Sequence, residues 1–451
     1  KKKRKKNTQM CAFRLGLRSV STSAGAWAAY LAWSGRWDDP VAFHVAHADS
    51  LIRPIVAQVL PAPLFVAVYS AGRSYFINML ARAEFTEIDG TNRPTKAFGL
   101  VFRNDLGNAA GLDKDGSMLD FNYRIGAGFA IVGTVLARPH SGNLEVAQGR
   151  WNPMVPLPSS GGAMNSLGLP SKGVTAAVAN IAAFRARRSL PPQVAECQRR
   201  DPLAAPAQPF PIGVSIMGHP HDVGDAKLAG ILKCVRASLP VADFIEINES
   251  CPNVGTSHGA SESEQRARIR AIVAVRDAYR AASAAEGRPR RRVPVLVKLG
   301  SIGADDAAVR HTLVFMEELG VDGVVALNTQ TDHAAMSAAL VDGGHSGDAA
   351  LLAYFSGAHG GGVSGAPIAA KARDQIAAAA RIARECNLKI KLVHVGGIAT
   401  SEDVATSRAI GGGYGEAEAS VVPLREWYTG YTRALGAVRK ADIYKQMTQR
   451  E

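Results

Sequence analysis

The chain has 451 residues, 47% hydrophobic and 20% charged, a balance that fits a folded core and excludes global disorder. Its formal net charge is +13, but six of those charges sit in Lys1–Lys6, leaving +7 elsewhere, and aromatics are only 6%. With no basic face interleaved with aromatics, no nucleic-acid partner is expected, and five scattered cysteines without a CxxC exclude a disulfide framework and a structural zinc site.

Lys1–Arg18 is basic and contains no Asp or Glu, as an organelle-targeting remnant would. Ser19–Gly35 carries no charge and includes Trp27, Tyr30 and Trp33, residues that favour membrane interfaces. It reads as a single membrane anchor, although it is short of the ~20 apolar residues a spanning helix needs; the plainer reading is a surface helix. If it spans, the Lys/Arg-rich flank stays inside and the rest of the chain lies outside. From Phe43 to Leu60 apolar residues recur near helical spacing, Pro61 and Pro63 interrupt them, and a second apolar helix is expected over Leu64–Leu80. Two such helices suggest a membrane-apposed hairpin, or simply two helices packed on the main domain. The chain therefore divides into an anchor region over residues 1–38, a hairpin over 39–84 and a body over 85–451.

In the body, short β-rich runs alternate with helical stretches. Strands are predicted at 104–111, 128–136, 211–218, 243–250, 294–300, 323–328, 390–397 and 418–424, several of them continuous apolar runs as in a buried parallel sheet. Helices are predicted at 117–126, 172–188, 223–237, 262–285, 304–319, 367–386 and 401–410. Eight β/α units point to a (β/α)8 TIM barrel rather than a doubly wound open sheet, since no GxGxxG follows the first strand.

Function in such a barrel sits at the C-terminal strand ends. Those ends offer Gly111–Gly116, Thr134, Ser215, Asn248 to Asn253, Lys298, Asn328 to Gln330 and Gly396-Gly397, with the Gly-rich run Gly360–Gly365 before the seventh helix. Glycine turns that open helices near the last strands suit a phosphate. A lysine beside a flavin stabilises its reduced anion, and Asn amides pair with a planar ring bearing amide and carboxylate groups. Cys251 at a strand end can act as a base or nucleophile, against the alternative of a buried small hydrophobe. No metal-ligand spacing is present; His219-Pro220-His221 reads as a surface turn.

These residues carry a family resemblance. Asn108–Gly116, Gly133-Thr134, Met164–Leu169, Asn248–Asn253, Val297-Lys298, Asn328-Thr329, Gly362–Gly365 and Val395–Gly397, in this order, resemble the FMN-containing dihydroorotate dehydrogenases of pyrimidine synthesis. The resemblance implies that Cys251 is the base for the C5 proton of dihydroorotate. It implies that Lys114, Asn165, Leu169, Asn248, Asn253, Asn328 and Thr329 hold dihydroorotate and orotate. Ala110, Gly111, Thr134, Ser215, Asn248 and Lys298 would meet the flavin ring of FMN, with Ser364, Gly365, Gly396 and Gly397 at its ribityl phosphate. The front end resembles the membrane-bound, quinone-reducing type, which implies a membrane quinone, a lipid bilayer and respiratory-chain complexes as partners. It also implies the mitochondrial inner membrane, with the barrel on the intermembrane-space side.

The chain departs from that pattern at four places. Cysteine stands at position 251 where quinone-type members usually carry serine. Glu249 lies inside the base motif, where an inward carboxylate would raise the thiol pKa. The strand 8 lead is Gly413–Ser420, and Arg425-Glu426 takes the place of a Tyr-Thr pair at the phosphate; Arg425 is positioned to clamp a phosphate and Glu426 to repel one. Insertions occur at 187–210, 286–294 and 329–361, the last expected as a His/Ala/Gly-rich loop. The competing readings are a soluble, fumarate-reducing enzyme and a barrel that has lost catalysis and serves as a structural subunit of a mitochondrial membrane complex.

Overall fold

A computed structural model describes residues 52–71, 87–88, 90–91, 94–143, 153–188, 210–249, 261–286, 292–412 and 420–427. Eight parallel strands close a barrel in the order β3 (Leu106–Asn108), β4 (Ala130–Val135), β7 (Ile212–Ile216), β8 (Phe244–Asn248), β9 (Val295–Leu299), β10 (Gly323–Ala326), β12 (Lys391–Val395) and β13 (Leu424–Trp427), with β13 pairing back onto β3. The expected (β/α)8 architecture is therefore present. All seven predicted helices fall on observed ones; the longest, Glu262–Ala285, carries a capping box between Ser261 and Glu264 that defines its start.

Alternation along each strand sorts the side chains. Ile245, Ile247, Val295, Val297, Val324 and Leu392 face the surrounding helices in the main apolar cluster. Phe244, Leu296, Val325, Val393 and Leu424 face the lumen. A hairpin of β1 (Thr95–Ala97) and β2 (Leu100–Phe102) packs into that same inner cluster and plugs the N-terminal end. There Phe102, Phe129 and Phe244 meet at ring separations of 5.3–6.1 Å. A side chain at Gly213 would strike the Phe244 ring, so glycine is the residue that lets the aromatic floor close.

The eighth strand lies later than predicted, at Leu424–Trp427 rather than 418–424. Pro423 lacks the N–H a central strand needs, and the true strand carries Arg425 and Glu426, both buried, which hide it from a hydrophobicity pattern. Arg425 points outward. Its guanidinium bonds Asp105 Oδ2 at 2.8 Å, Ser407 Oγ at 3.0 Å and three backbone carbonyls. Arg408 Nε approaches the same Asp105 carboxylate at 2.7 Å. Burial alone would raise the Asp105 pKa; the hydrogen bond from Arg408 and the two guanidinium charges outweigh it and hold the carboxyl below its ordinary value.

Insertion 329–361 is not a loop. It forms two helices, His333–Asp342 and Ser346–His359, separated by Gly343-Gly344. Ala, the best helix former, recurs in both and supplies local helix preference without a strong amphipathic pattern. The run at 360–365, expected as a glycine turn, contains a strand, β11 (Gly362–Gly365). It pairs antiparallel with β6 (Gly162–Asn165), which pairs with β5 (Met154–Leu157). This small sheet, the two inserted helices and the short helix at 62–71 share one apolar cluster, into which Phe65, Val66 and Tyr69 insert. A helix at 52–59 precedes it; the two helices fall within the spans expected for the front end, the rest of which lies outside the described residues. Ile55, Val59, Leu64 and Val68 on these helices are exposed. The Ser19–Gly35 anchor lies outside the described residues, among which no helix is long and apolar enough to cross a membrane.

Replacing Asp105 by Asn leaves two guanidinium groups over a neutral partner. Because removing one member of a buried ion network costs about 3–5 kcal/mol, Asp105→Asn is expected to lower unfolding stability by about that amount, read as a lower urea midpoint with an unchanged slope.

Candidate active site

Inward positions change character along the strands. On β8 the series is Phe244, Glu246, Asn248; on β9, Leu296 then Lys298; on β13, Leu424 then Glu426; on β7, Gly213 then Ser215. The lumen thus grades from an aromatic floor to a polar mouth at the C-terminal strand ends. There a cavity of about 1240 Å³, open rim included, is lined by Ala110, Gly111, Lys114, Thr134, Asn165, Leu169, Asn248, Lys298, Asn328, Thr329, Ser364, Gly365, Gly396 and Gly397. These residues come from eight separate segments of chain and were all singled out as site candidates. Cys251 and Asn253 lie outside the described residues.

Hydrogen bonds organise the polar wall. Asn248 Nδ2 donates to Thr134 Oγ1 at 3.0 Å, Thr134 Oγ1 meets Ser215 Oγ at 3.2 Å, and Asn328 Nδ2 donates to Asn248 Oδ1 at 3.4 Å. Ser215 is fully buried beneath the cavity and reaches it only through Thr134. Asn165 and Ser364 stand on β6 and β11, the sheet beside the barrel mouth. Gly365 and Gly397 have φ of 83° and 76°, and a Cβ at Gly365 would lie 2.6 Å from the Gly161 carbonyl. Bare backbone at this end suits a phosphate bound by N–H groups.

Lys114 sits in a stitched loop. Gly133 N donates to Asp113 O and Gly111 N to Gly133 O, each at 2.8 Å, tying the loop to β4. The Asp113 carboxylate accepts from Gly116 N at 2.8 Å and Met118 N at 3.2 Å. Burial, and then the charge of Asp115, push the Asp113 pKa up to about 7.

Several expectations need correction. Arg425 is not at the cavity: its guanidinium is committed to Asp105, Ser407 and backbone carbonyls outside the barrel. Glu426 faces the lumen, 3.5 Å from Lys298, and not a phosphate. With β13 at Leu424–Trp427, a Tyr428-Thr429 pair directly follows the strand in sequence, outside the described residues. Glu249 does not point inward either. Its carboxylate is held by Arg268 at 2.8 and 2.5 Å, on the helix Glu262–Ala285 outside the barrel, as strand alternation from Asn248 requires. His219 is buried rather than on a surface turn, packed with His140 and His221 at ring separations of 4.9–5.3 Å. Among the described residues no three metal-ligating side chains converge to hold a metal ion. Among the lining residues that sequence reasoning missed are Gly161, Gly162, Ile368 and Trp427. Trp427 was findable once strand 8 was correctly placed; the others belong to the accessory sheet and its junction, for which the barrel pattern holds no signal.

The fold and this mouth define a barrel enzyme of the TIM class. The family model for dihydroorotate dehydrogenase matches residues 94–420. Curated relatives include a dihydroorotate dehydrogenase (quinone) of Stenotrophomonas maltophilia, 31% identical over 70% of this chain and 76% of the relative. Another of that name from Flavobacterium lutescens is 30% identical over the same shares. A crystal structure of DHODH from Eimeria tenella in complex with ferulenol superposes with a TM-score of 0.61 at 20% identity, covering 83% of this chain and 90% of that one. The chain belongs to the dihydroorotate dehydrogenase family.

Asp113 holds its proton more tightly folded than unfolded, so its cost to stability develops as pH rises from about 4 to about 7 and is complete above that. Asp113→Asn removes this dependence. Thermal melts of the two proteins at pH 5 and pH 8 are expected to show a loss of stability at pH 8 that is smaller in the variant.

Proposed function

We propose that this protein oxidises dihydroorotate to orotate at the barrel mouth, with FMN as cofactor and a membrane quinone as the final electron acceptor. The observation that carries the reading is the meeting of Lys114, Asn165, Asn248 and Asn328 with Lys298, Thr134 and a glycine-lined end in one cavity. That donor set fits FMN. Lys298, Thr134 and Asn248 suit the edge of a flat heteroaromatic ring, and the bare backbone at Ser364-Gly365 and Gly396-Gly397 suits a ribityl phosphate. Ala110 and Gly111 leave room for the ring face. Bound there, FMN would supply a two-electron acceptor for the substrate's C6 hydride and a carrier of those electrons toward the quinone.

The chain's own residues do the rest. Cys251 takes the C5 proton; a thiol with an ordinary pKa of ~8.5 is a workable base near neutral pH. The Arg268 clamp on Glu249 supports this role, because it turns the nearest carboxylate away from the lumen side of β8. Amides of Asn165, Asn248, Asn253 and Asn328 hold the pyrimidine ring and carboxylate, with Lys114 countering the substrate's charge and Leu169 and Thr329 closing its pocket. The structural-subunit reading loses its motive, since Glu249 and Glu426 both lie clear of the positions where they would block substrate or phosphate.

The helices at 52–59 and 62–71 would meet the bilayer through Ile55, Val59, Leu64 and Val68 and admit the quinone. In this reading the divisions 1–38, 39–84 and 85–451 correspond to anchor, quinone entrance and catalytic barrel. The basic, acid-free start supports a place in the mitochondrial inner membrane, with the barrel on the intermembrane-space side and respiratory-chain complexes sharing its quinone pool.

The purified protein is expected to show a flavin absorption spectrum that bleaches on anaerobic addition of dihydroorotate; a spectrum that stays oxidised counts against the substrate assignment. Cys251→Ala is expected to slow that bleaching by about 10²–10⁴-fold while FMN stays bound, read by stopped-flow absorbance. Val59→Asp with Val68→Asp is expected to weaken vesicle binding and quinone turnover severalfold, with reduction of a small soluble dye unchanged.

A further inference from the structure

Lys298 and Glu426 stand on β9 and β13, strands separated in the barrel by β10 and β12. Their contact at 3.5 Å therefore crosses the lumen. Both are buried, with side-chain exposures of 6% and 1%. Lys298 lines the mouth cavity, and Glu426 immediately precedes Trp427, which also lines it. Lys298 thus meets any ring held in the cavity, and Glu426 contacts that lysine from outside the lining. A lone buried lysine there would present a full positive charge; with a carboxylate against it, the ring meets a donor whose field is largely cancelled.

We propose that Glu426 tunes the redox potential of the bound flavin by neutralising Lys298, keeping the reduced, anionic flavin less stabilised than a bare lysine would and so readier to give up its electrons. The inference rests on the placement of FMN at this mouth. Glu426 acts through Lys298 and is a positioning residue. A second inward carboxylate, Glu246 on β8, supplies the control. It is fully buried, its oxygens have no hydrogen-bond partner among the described residues, and it makes no ion pair with Lys298.

The test is the two-electron midpoint potential of the FMN-loaded, full-length protein at pH 7, measured by equilibration with a reference dye. Glu426→Gln is expected to bind reduced flavin at least tenfold more tightly relative to oxidised flavin, a rise of ~30 mV or more. Its flavin should also bind sulfite, which adds at N5 and leaves negative charge on the ring, about tenfold more tightly. Glu246→Gln is expected to shift the potential by much less. An unchanged or lower potential in Glu426→Gln overturns the inference, as does an equal shift in Glu246→Gln, which would assign the effect to the general field of the lumen. Should Glu426→Gln fail to fold, Lys298→Gln leaves the carboxylate as the pair's sole charge; the potential must then fall, and constancy overturns the proposal. Wild-type protein that takes up no FMN would overturn the parent reading and this inference together, whereas bound flavin with an insensitive potential overturns this inference alone.

Discussion

Closure of the barrel depends on the Asp105 carboxylate, which sits between the guanidinium groups of Arg408 and Arg425 where the last strand meets the first. Arg425 N also donates to the Asp105 carbonyl at 2.8 Å, so backbone and side chain specify the same register. A one-residue slip would turn Arg425 into the lumen and Glu426 out of it. Both features of the mouth that involve β13 follow from this register: Glu426 beside Lys298 and Trp427 in the cavity lining. The interaction is electrostatic in origin and steric in effect. Two cations on one buried anion are tolerated in part because the Arg425 guanidinium has further acceptors, among them Ser407 and the carbonyls of Val422 and Pro423.

Within the closed barrel, chemistry is graded by height. The bottom needs no solvent and is filled by Phe102, Phe129 and Phe244. Above it the lumen carries charge, and Lys298 and Glu426 neutralise each other across it. The next level is amide and hydroxyl, where Thr134, Asn248 and Asn328 form a hydrogen-bonded chain with its donors fixed before any ligand arrives. Such preorganisation spares the site the cost of reorienting dipoles when charge moves. The same alternation disposes of Glu249, whose outward position next to Asn248 delivers it to Arg268.

The mouth is joined to the front end by one apolar cluster. The sheet carrying Asn165 and Ser364 shares that cluster with Phe65, Val66 and Tyr69 of the helix at 62–71 and with the two inserted helices. Ser159 N and Ser160 N are held by the buried Asp348 carboxylate on the second of these, tying the β5–β6 turn to it. An electron acceptor entering along the front helices would therefore approach the cavity through a wall that also holds substrate-side residues. The insertion at 329–361 thus braces the small sheet beside the mouth.

Much of the fold was legible because parallel barrel strands are buried on both faces and read as apolar runs between amphipathic helices. Seven strands and seven helices stood out on that basis, and reading only their C-terminal ends was enough to collect the candidate site, since barrel geometry brings those ends together. The eighth strand escaped because its two middle residues are charged, and only the presence of Asp105 outside and Lys298 inside makes such a strand stable. Arg425 could not be distinguished from a phosphate ligand by type or position along the chain; its acidic partner Asp105 is 320 residues away in sequence. Likewise the side of the barrel taken by Glu249 and Glu426, and the conversion of an Ala- and Gly-rich insertion into two packed helices, were decided by neighbours that only folding supplies. Residue type and spacing determined which chemistry was available at the mouth; tertiary contacts decided which charges face it.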